Sequence, residues 1–115
     1  MATTVPDLAI ILNHLGGPLT IGPYGQARDK ALAAWRADMR RVADSPNVFL
    51  KLGGVGMDDN FATGWTTRQA PPSSNEVADY WTDDLQFCID LFGPERCMFE
   101  SNFPVDRISC SYNVL

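Results

Sequence analysis

The sequence predicts an α/β fold with a parallel sheet, in which three strands alternate with two helices. Three short apolar runs, at residues 8–12, 48–52 and 97–99, are nearly continuous, as expected of strands that are buried on both faces. Two amphipathic helical patterns lie between these runs, and such alternation is typical of parallel sheets. The connections that follow the first two strands are long, which favours a functional face at the carboxyl ends of the strands.

Both helical patterns repeat apolar residues at steps of three and four. These positions are Ala31, Leu32, Trp35, Met39 and Val42 in the first helix, and Val77, Tyr80, Trp81, Leu85, Cys88, Ile89 and Phe92 in the second. We expect the aromatic members to lie in the core. The stretch from Ser73 to Glu76 has the form of a capping box, and Gly93 followed by Pro94 is a stop signal. Residues 109–115 are predicted to open a third helix, capped by Ser109 or Ser111.

Composition limits the kinds of partner. The 115 residues suffice for one modest domain, and we treat residues 1–115 as a single domain. A net charge of −5 argues against nucleic acid and an anionic membrane surface as partners. No apolar run approaches the roughly 20 residues of a membrane helix. Cys88, Cys97 and Cys110 are odd in number and lack paired spacing, so we expect reduced thiols and a cytoplasmic location.

The long loops cover residues 15–25 and 53–72, whereas the returns from the helices, residues 44–47 and 93–96, are short. Loops of that length are uncommon in compact domains unless they are functional. In parallel α/β folds the loops at the carboxyl ends of the strands build the active site. We therefore expect a site lined by the ends of all three strands.

His14, the only histidine, and Asn102 each follow a predicted strand. Imidazole can ligate a metal or transfer a proton near neutral pH, whereas an amide can orient a substrate or a water but cannot act as a carboxylate base. If strand alternation continues past residue 99, Met98, Glu100 and Asn102 face one way, and His14 shares that face. The alternatives are a histidine that only hydrogen-bonds the glycine loop and an asparagine that only forms a turn.

Three charged residues are further candidates, and we assign Lys51, Arg68 and Asp106 to substrate binding. Lys51 interrupts an apolar strand, and because a buried lysine needs a partner we predict an ion pair with Glu100 beneath the site. A snorkelling edge lysine is the alternative. Arg68 could hold a substrate carboxylate, although most loop charges are solvated. Asp106 could supply a carboxylate to the site or be an ordinary surface aspartate.

Three segments, in order and suitably spaced, resemble one family. Residues 10–18, IILNHLGGP, are similar to the sixth-strand histidine segment of the amidohydrolase-related TIM-barrel hydrolases, which include lactonases. Residues 47–54, NVFLKLGG, resemble their seventh strand, and residues 93–106, GPERCMFESNFPVD, resemble their eighth. The resemblance spans nearly the whole chain and implies a parallel βαβαβ portion of a (β/α)8 barrel, which is an incomplete barrel.

The resemblance also implies roles for single residues. His14 matches an active-site histidine of the family, and Asn102 stands where the family usually has the aspartate that activates water for attack on a carbonyl. A divalent metal, zinc or similar, is implied for full-length members, with His14 as a candidate ligand, but members with and without a metal share this region. The first-strand His-x-His of the family has no counterpart here.

Two functions therefore stay open. The first is a hydrolase fragment that resembles lactonases, with water attacking the carbonyl of a small-molecule lactone or cyclic ester. Such a fragment is expected to be inactive alone and to self-associate through its open sheet edges. The second is a small α/β binding or interaction module without catalysis.

Overall fold

A computed structural model describes residues 2–115, apart from the side chain of Asp59, and shows a three-stranded parallel sheet with helices packed against it. The strands are β1 (Ile10–Leu12), β2 (Val48–Gly53) and β3 (Cys97–Glu100), in the spatial order β1-β2-β3. The α-helices are α1 (Arg28–Ala43), α2 (Asp58–Phe61) and α3 (Ser74–Phe92). The predicted parallel βαβαβ order is confirmed, and within the described residues the sheet stays open rather than closing into a barrel.

The strand register places Lys51 and Glu100 on the same face of the sheet. Lys51 pairs with Met98 and Gly53 pairs with Glu100, so the alternation of side chains brings both charged groups to one side. We call this side the open face, because Ile11, which belongs to it, is 52% exposed. The opposite side packs against the helices, and its central residue Leu50 is fully buried.

The core lies between the sheet and helices α1 and α3. Trp35 of α1 and Trp81 and Phe92 of α3 are buried as predicted, whereas Tyr80 is only partly buried at the edge of the core. Burial of an apolar side chain of this size contributes roughly 1.5–3 kcal/mol, so these positions account for much of the helix packing.

A half-buried ion pair joins α1 and α3, and no sequence pattern predicts it. Arg36 of α1 donates to Asp84 of α3 over 2.5 Å, and the Asp84 side chain is 8% exposed. Asp84 occupies a helix position that faces the core, so the pairing with Arg36 is what allows a carboxylate there.

The loop of residues 53–72 is packed onto α3 over much of its length. It contains the short helix α2, and Phe61 and Trp65 are 1% and 6% exposed. The Phe61 ring meets the edge of Trp81 at 4.9 Å between centroids, and the Trp81 indole donates to the carbonyl of Val55. These contacts fix the course of the loop as it leaves the carboxyl end of β2.

The predicted capping box is confirmed. The Ser73 hydroxyl accepts from the Glu76 N–H, and the Glu76 carboxylate accepts from the Ser73 N–H over 2.8 Å. The backbone bond from Ser73, helped by Arg68, lowers the pKa of Glu76 to about 2. Helix α3 ends at Phe92, directly before the predicted stop at Gly93.

The prediction of a third helix over residues 109–115 is wrong. A single 3-10 turn, Val105–Ile108, precedes this segment, and turns follow it. The Ser109 hydroxyl instead donates to the carbonyl of Gly56 over 2.6 Å, which ties this segment to the loop after β2. The first strand is also shorter than predicted, because Leu8 lies outside the sheet and is 58% exposed.

None of the helices in residues 2–115 is both long and apolar enough to cross a membrane. Cys88, Cys97 and Cys110 form no disulfide with one another in the described residues. Burial, with Asp84 nearby, raises the pKa of Cys88 to about 12, which makes this thiol a poor nucleophile.

Candidate functional site

His14 stands at the carboxyl end of β1 in a backbone conformation that few residues adopt. Its φ is +52°, and the next residue, Leu15, has a φ of +56°. The fold holds this turn in place, since Leu15 is fully buried and its carbonyl accepts from the Trp35 indole over 2.8 Å. Positive φ values at non-glycine residues cluster at functional sites, where the surrounding packing stabilises them.

Glu100 joins His14 and Lys51 at the carboxyl end of the sheet. Its Oε1 accepts from Lys51 Nζ over 3.1 Å, and its Oε2 lies 2.7 Å from Nδ1 of His14. The predicted Lys51–Glu100 pair is therefore confirmed, on the face that the register requires. The sequence pattern does not predict the contact with His14. Side-chain exposures of 29% for His14, 32% for Lys51 and 13% for Glu100 place the group at a half-buried edge.

Gly54 makes room for the imidazole. It follows β2 with a φ of +72°, and a Cβ atom at this position would lie 2.7 Å from Nδ1 of His14. The backbone of the second strand thus passes directly against the ring, and only glycine fits both the space and the conformation. The ring of His14 is held between this backbone and the Glu100 carboxylate.

Asn102 and Asp106 form a second polar group beside the first. Asn102 lies beyond the end of β3 with a φ of +50°, so strand alternation does not extend to it. Its amide donates to Oδ1 of Asp106 over 2.7 Å, and the N–H of Gly56 donates to Oδ2 over 3.0 Å. Because Asp106 is 0% exposed, the interpretation of an ordinary surface aspartate is wrong.

Burial is the main influence on the Asp106 carboxyl and raises its pKa. The hydrogen bonds from Gly56 and Asn102 oppose this effect without overcoming it. Asn102 follows Glu100 by two residues at the end of β3 and holds Asp106 through its amide, so both polar groups lie at the same end of the sheet. Both groups therefore belong to one site at the carboxyl ends of the strands.

Arg68 makes its contacts outside this site. Its guanidinium donates to Glu76 at the start of α3 over 2.9 Å, and both side chains are more than 40% exposed. Among the described contacts of Arg68, none is with His14, Lys51 or Glu100. Its assignment to substrate binding stays a prediction, as do the assignments of Lys51 and Asp106.

The described residues do not by themselves form a metal centre. Among them, no group of three or more His, Cys, Asp and Glu side chains is arranged to hold a metal ion. Catalytic zinc sites take three protein ligands. The Glu100 oxygens are engaged by Lys51 and His14, so ring nitrogen Nε2 of His14 is the clearest ligand atom, and a metal would need further ligands.

The chain matches a known family over nearly its whole length. A family model described as Amidohydrolase matches residues 1–113. The chain is 35% identical over 115 residues to the uncharacterized protein y4mH of Sinorhizobium fredii. It is 33% identical over 104 residues to the L-fucono-1,5-lactonase of Burkholderia multivorans, covering 90% of this chain and 32% of that protein. It is also 29% identical over 116 residues to the L-rhamnono-gamma-lactonase of Scheffersomyces stipitis, covering 96% of this chain and 31% of that protein.

Solved structures of an amidohydrolase from Burkholderia multivorans share the fold. A crystal form with bound HEPES superimposes with a TM-score of 0.75 at 28% identity, over 97% of this chain and 36% of that one. A form with bound zinc gives a TM-score of 0.73 at the same identity, over 97% and 35% of the two chains. The chain spans about a third of the length of the curated relatives it matches. Because the family match extends over nearly every residue, the chain belongs to the amidohydrolase family.

Proposed function

We propose that this chain carries part of the active site of a lactonase, an enzyme in which water attacks the carbonyl carbon of a small-molecule lactone. The observation that carries the proposal is the placement of His14, held by Glu100, at the carboxyl end of the sheet. Support comes from the family match and from two relatives whose names state lactonase activity. The substrate class is therefore a sugar-derived lactone or a related cyclic ester.

In the proposed reaction His14 acts as the base. Asn102 cannot accept a proton from water as an aspartate would, whereas a neutral imidazole can. Water attacks the carbonyl carbon as His14 takes its proton, and a tetrahedral intermediate forms. The ring C–O bond then breaks, and His14 returns the proton to the departing alkoxide. The product is an open-chain hydroxy acid, and Asn102 orients the water or the substrate.

The described residues do not complete a metal site, so a metal would need ligands from outside this chain. The zinc in the Burkholderia multivorans amidohydrolase is a property of that protein. We also propose that the 115-residue chain is inactive alone, since it spans about a third of its relatives. The resemblance to the family also implies an aspartate where this chain has Asn102. The free thiols support a cytoplasmic location.

The decisive experiment places this chain in a complete barrel. The 115 residues would replace the matching third of the L-fucono-1,5-lactonase of Burkholderia multivorans, and hydrolysis would be followed on a panel of sugar lactones. We expect turnover that falls by roughly 100-fold or more in His14→Ala, the usual contribution of a general base. Asp38→Asn, an exposed change on α1, is the matched control and should keep full activity. Equal rates for the chimera and its His14→Ala variant would refute the proposal.

A non-catalytic binding module is the second candidate, and the amide at position 102 favours it. The same chimera separates the two. A chimera that melts cooperatively but hydrolyses no lactone would support the binding module. Its fold would then be intact, and the 115 exchanged residues would be the cause of the missing activity.

A further inference from the structure

Glu100 takes no part in the proposed proton transfers, yet it lies at the centre of the site. It contacts His14 through one carboxylate oxygen and Lys51 through the other, and its side chain is only 13% exposed. A charged side chain that is nearly buried requires partners, and here they are Lys51 on the adjacent strand β2 and His14, which follows β1. Glu100 therefore bridges His14 and Lys51, each through a different carboxylate oxygen.

We propose that Glu100 is a positioning residue that holds neutral His14 in the tautomer protonated at Nδ1. An ionised carboxylate can only accept hydrogen bonds, so the 2.7 Å contact requires a proton on Nδ1. A neutral imidazole carries one ring proton, and Nε2 is then left without one. This inference rests on the proposed function, because an unprotonated Nε2 is the atom that can accept a proton from water.

Lys51 and Gly54 fix the geometry of this contact. The ammonium of Lys51 holds the second oxygen of Glu100, which limits the rotation of the carboxylate. The backbone at Gly54 lies against the ring on the side of Nδ1, where even a methyl group would not fit. The ring is therefore restrained by packing as well as by the hydrogen bond, as expected for a side chain oriented by its neighbours.

The contact between Glu100 and His14 resembles the one in hydrolases where a carboxylate orients the histidine that acts as the base. In those sites the carboxylate selects the tautomer and stabilises the imidazolium that forms when the base takes a proton. Here Glu100 would serve both purposes for His14. It touches neither the substrate nor the water in this assignment, so its effect on the reaction passes entirely through His14.

The test is direct because the chain has a single histidine. Nitrogen-15 NMR of the 115-residue chain with labelled histidine reports the protonation of Nδ1 and Nε2 without any overlap. Spectra would be recorded over a series of pH values up to about pH 9, and the tautomer would be read where the spectrum no longer changes with pH. We expect the wild-type chain to show a protonated Nδ1 and an unprotonated Nε2.

Two variants show whether Glu100 is the cause. In Glu100→Gln the neutral amide can donate or accept, so the ratio of the Nδ1–H to the Nε2–H tautomer should fall by roughly tenfold or more. Glu95→Gln, an exposed carboxylate on the same segment, is the matched control and should leave the ratio unchanged. A wild-type ring protonated mainly at Nε2, or a ratio that is equal in wild type and Glu100→Gln, would overturn the inference.

The wild-type spectrum alone is decisive if Glu100→Gln does not fold, since a dominant Nε2–H form already contradicts the assignment. In that case Glu100→Asp supplies the comparison, because it keeps the charge but shortens the reach to His14, and the ratio should again fall. The readout does not depend on turnover. An inactive lactonase chimera together with the Nδ1–H tautomer would refute the proposed function and leave the positioning role of Glu100 standing. An active chimera together with the Nε2–H tautomer would refute the positioning role and leave the lactonase activity standing.

Discussion

The backbone N–H of Gly56 donates to Oδ2 of Asp106 over 3.0 Å, and this bond ties the loop after β2 to the turn after β3. The carbonyl of the same glycine accepts from the Ser109 hydroxyl over 2.6 Å. A Cβ at Gly56 would lie 2.8 Å from Cβ of Asp106, so the two segments are as close as the backbone allows. Asp106 also accepts from Asn102, and the position of Asn102 therefore depends on this junction.

The first prediction concerns the stability of that junction. Asp106→Ala would leave the buried Gly56 N–H and the half-buried Asn102 amide without their acceptor. We expect the free energy of unfolding to fall by roughly 2–4 kcal/mol, since each unpaired buried donor is costly. Urea denaturation followed by circular dichroism measures the change. Arg107→Ala, at the exposed neighbouring position, is the control and should change stability by no more than about 0.5 kcal/mol.

The second prediction concerns acid stability and Asp58. Burial alone would raise the pKa of this carboxyl, but bonds from the Thr63 and Thr66 hydroxyls and from the backbone N–H groups of Gly64 and Thr66 outweigh it and lower the pKa to about 2. A carboxyl with a lowered folded pKa stabilises the fold above its unfolded pKa of 3.8, and that contribution is lost as the pH falls toward 2. Asp58 should therefore stabilise the loop at neutral pH and contribute little near pH 2.

The measurement compares wild type with Asp58→Asn at several pH values. At pH 7 the variant should be less stable by roughly 1–3 kcal/mol, because it loses charge-assisted hydrogen bonds. The difference should shrink steadily between about pH 4 and pH 2. A difference that stays constant over this range, or that grows as acid is added, would show that the Asp58 carboxylate does not stabilise this loop.

The third prediction separates two effects of glycine at position 54. Gly54 and Gly64 have similar φ values, +72° and +74°, but a Cβ at Gly64 would meet nothing within 4 Å. Replacing either by alanine costs roughly 1–3 kcal/mol for the backbone conformation. Gly54→Ala should in addition displace the His14 ring and shift its NMR signals, whereas Gly64→Ala should leave those signals in place. Identical histidine spectra in both variants would contradict the close packing of Gly54 against the ring.

Local pattern is enough to predict the architecture, the capping box and the Lys51–Glu100 pair. The pair is predictable because a lysine in an apolar strand needs a partner and parallel strands bring their ends together. The contact of Glu100 with His14 is not predictable in the same way, since His14 lies beyond the end of β1 in a left-handed conformation that strand alternation does not describe. The sequence signal for this contact is the glycines that follow β1 and β2, because glycine at such positions indicates close approach of the backbone.

The burial of Asp106 also cannot be predicted from the sequence, because it depends on contacts with residues far away in the chain. A charged residue after a proline is usually solvated, and nothing in the local sequence shows that Gly56, fifty residues earlier, supplies a backbone donor. The local pattern likewise places Trp65 in a loop, although it packs against Tyr80 at 5.5 Å between ring centroids. Long-range contacts of this kind depend on the path of an irregular loop, and periodicity gives no information about that path.

The fourth prediction is self-association through the open edges of the sheet. Within residues 2–115, strands β1 and β3 each have a neighbour on one side only, and Phe99 on β3 is 71% exposed. Exposed strand edges with apolar side chains pair readily with other chains. On size-exclusion chromatography with light scattering, the 115-residue chain should therefore have a mass above that of one copy, and the mass should rise with concentration.

Charge placed on the edge should reverse this association. Phe99→Lys should shift the chain toward the monomer, because a lysine on an edge strand opposes pairing and adds repulsion between copies. Tyr24→Lys makes the same chemical change at a site that is also exposed, 53%, but lies away from the strands, and it should leave the mass distribution as in wild type. If both variants dissociate equally, net charge rather than the β3 edge governs the association. A wild-type chain that is monomeric at every concentration would mean that the open edges are protected in solution.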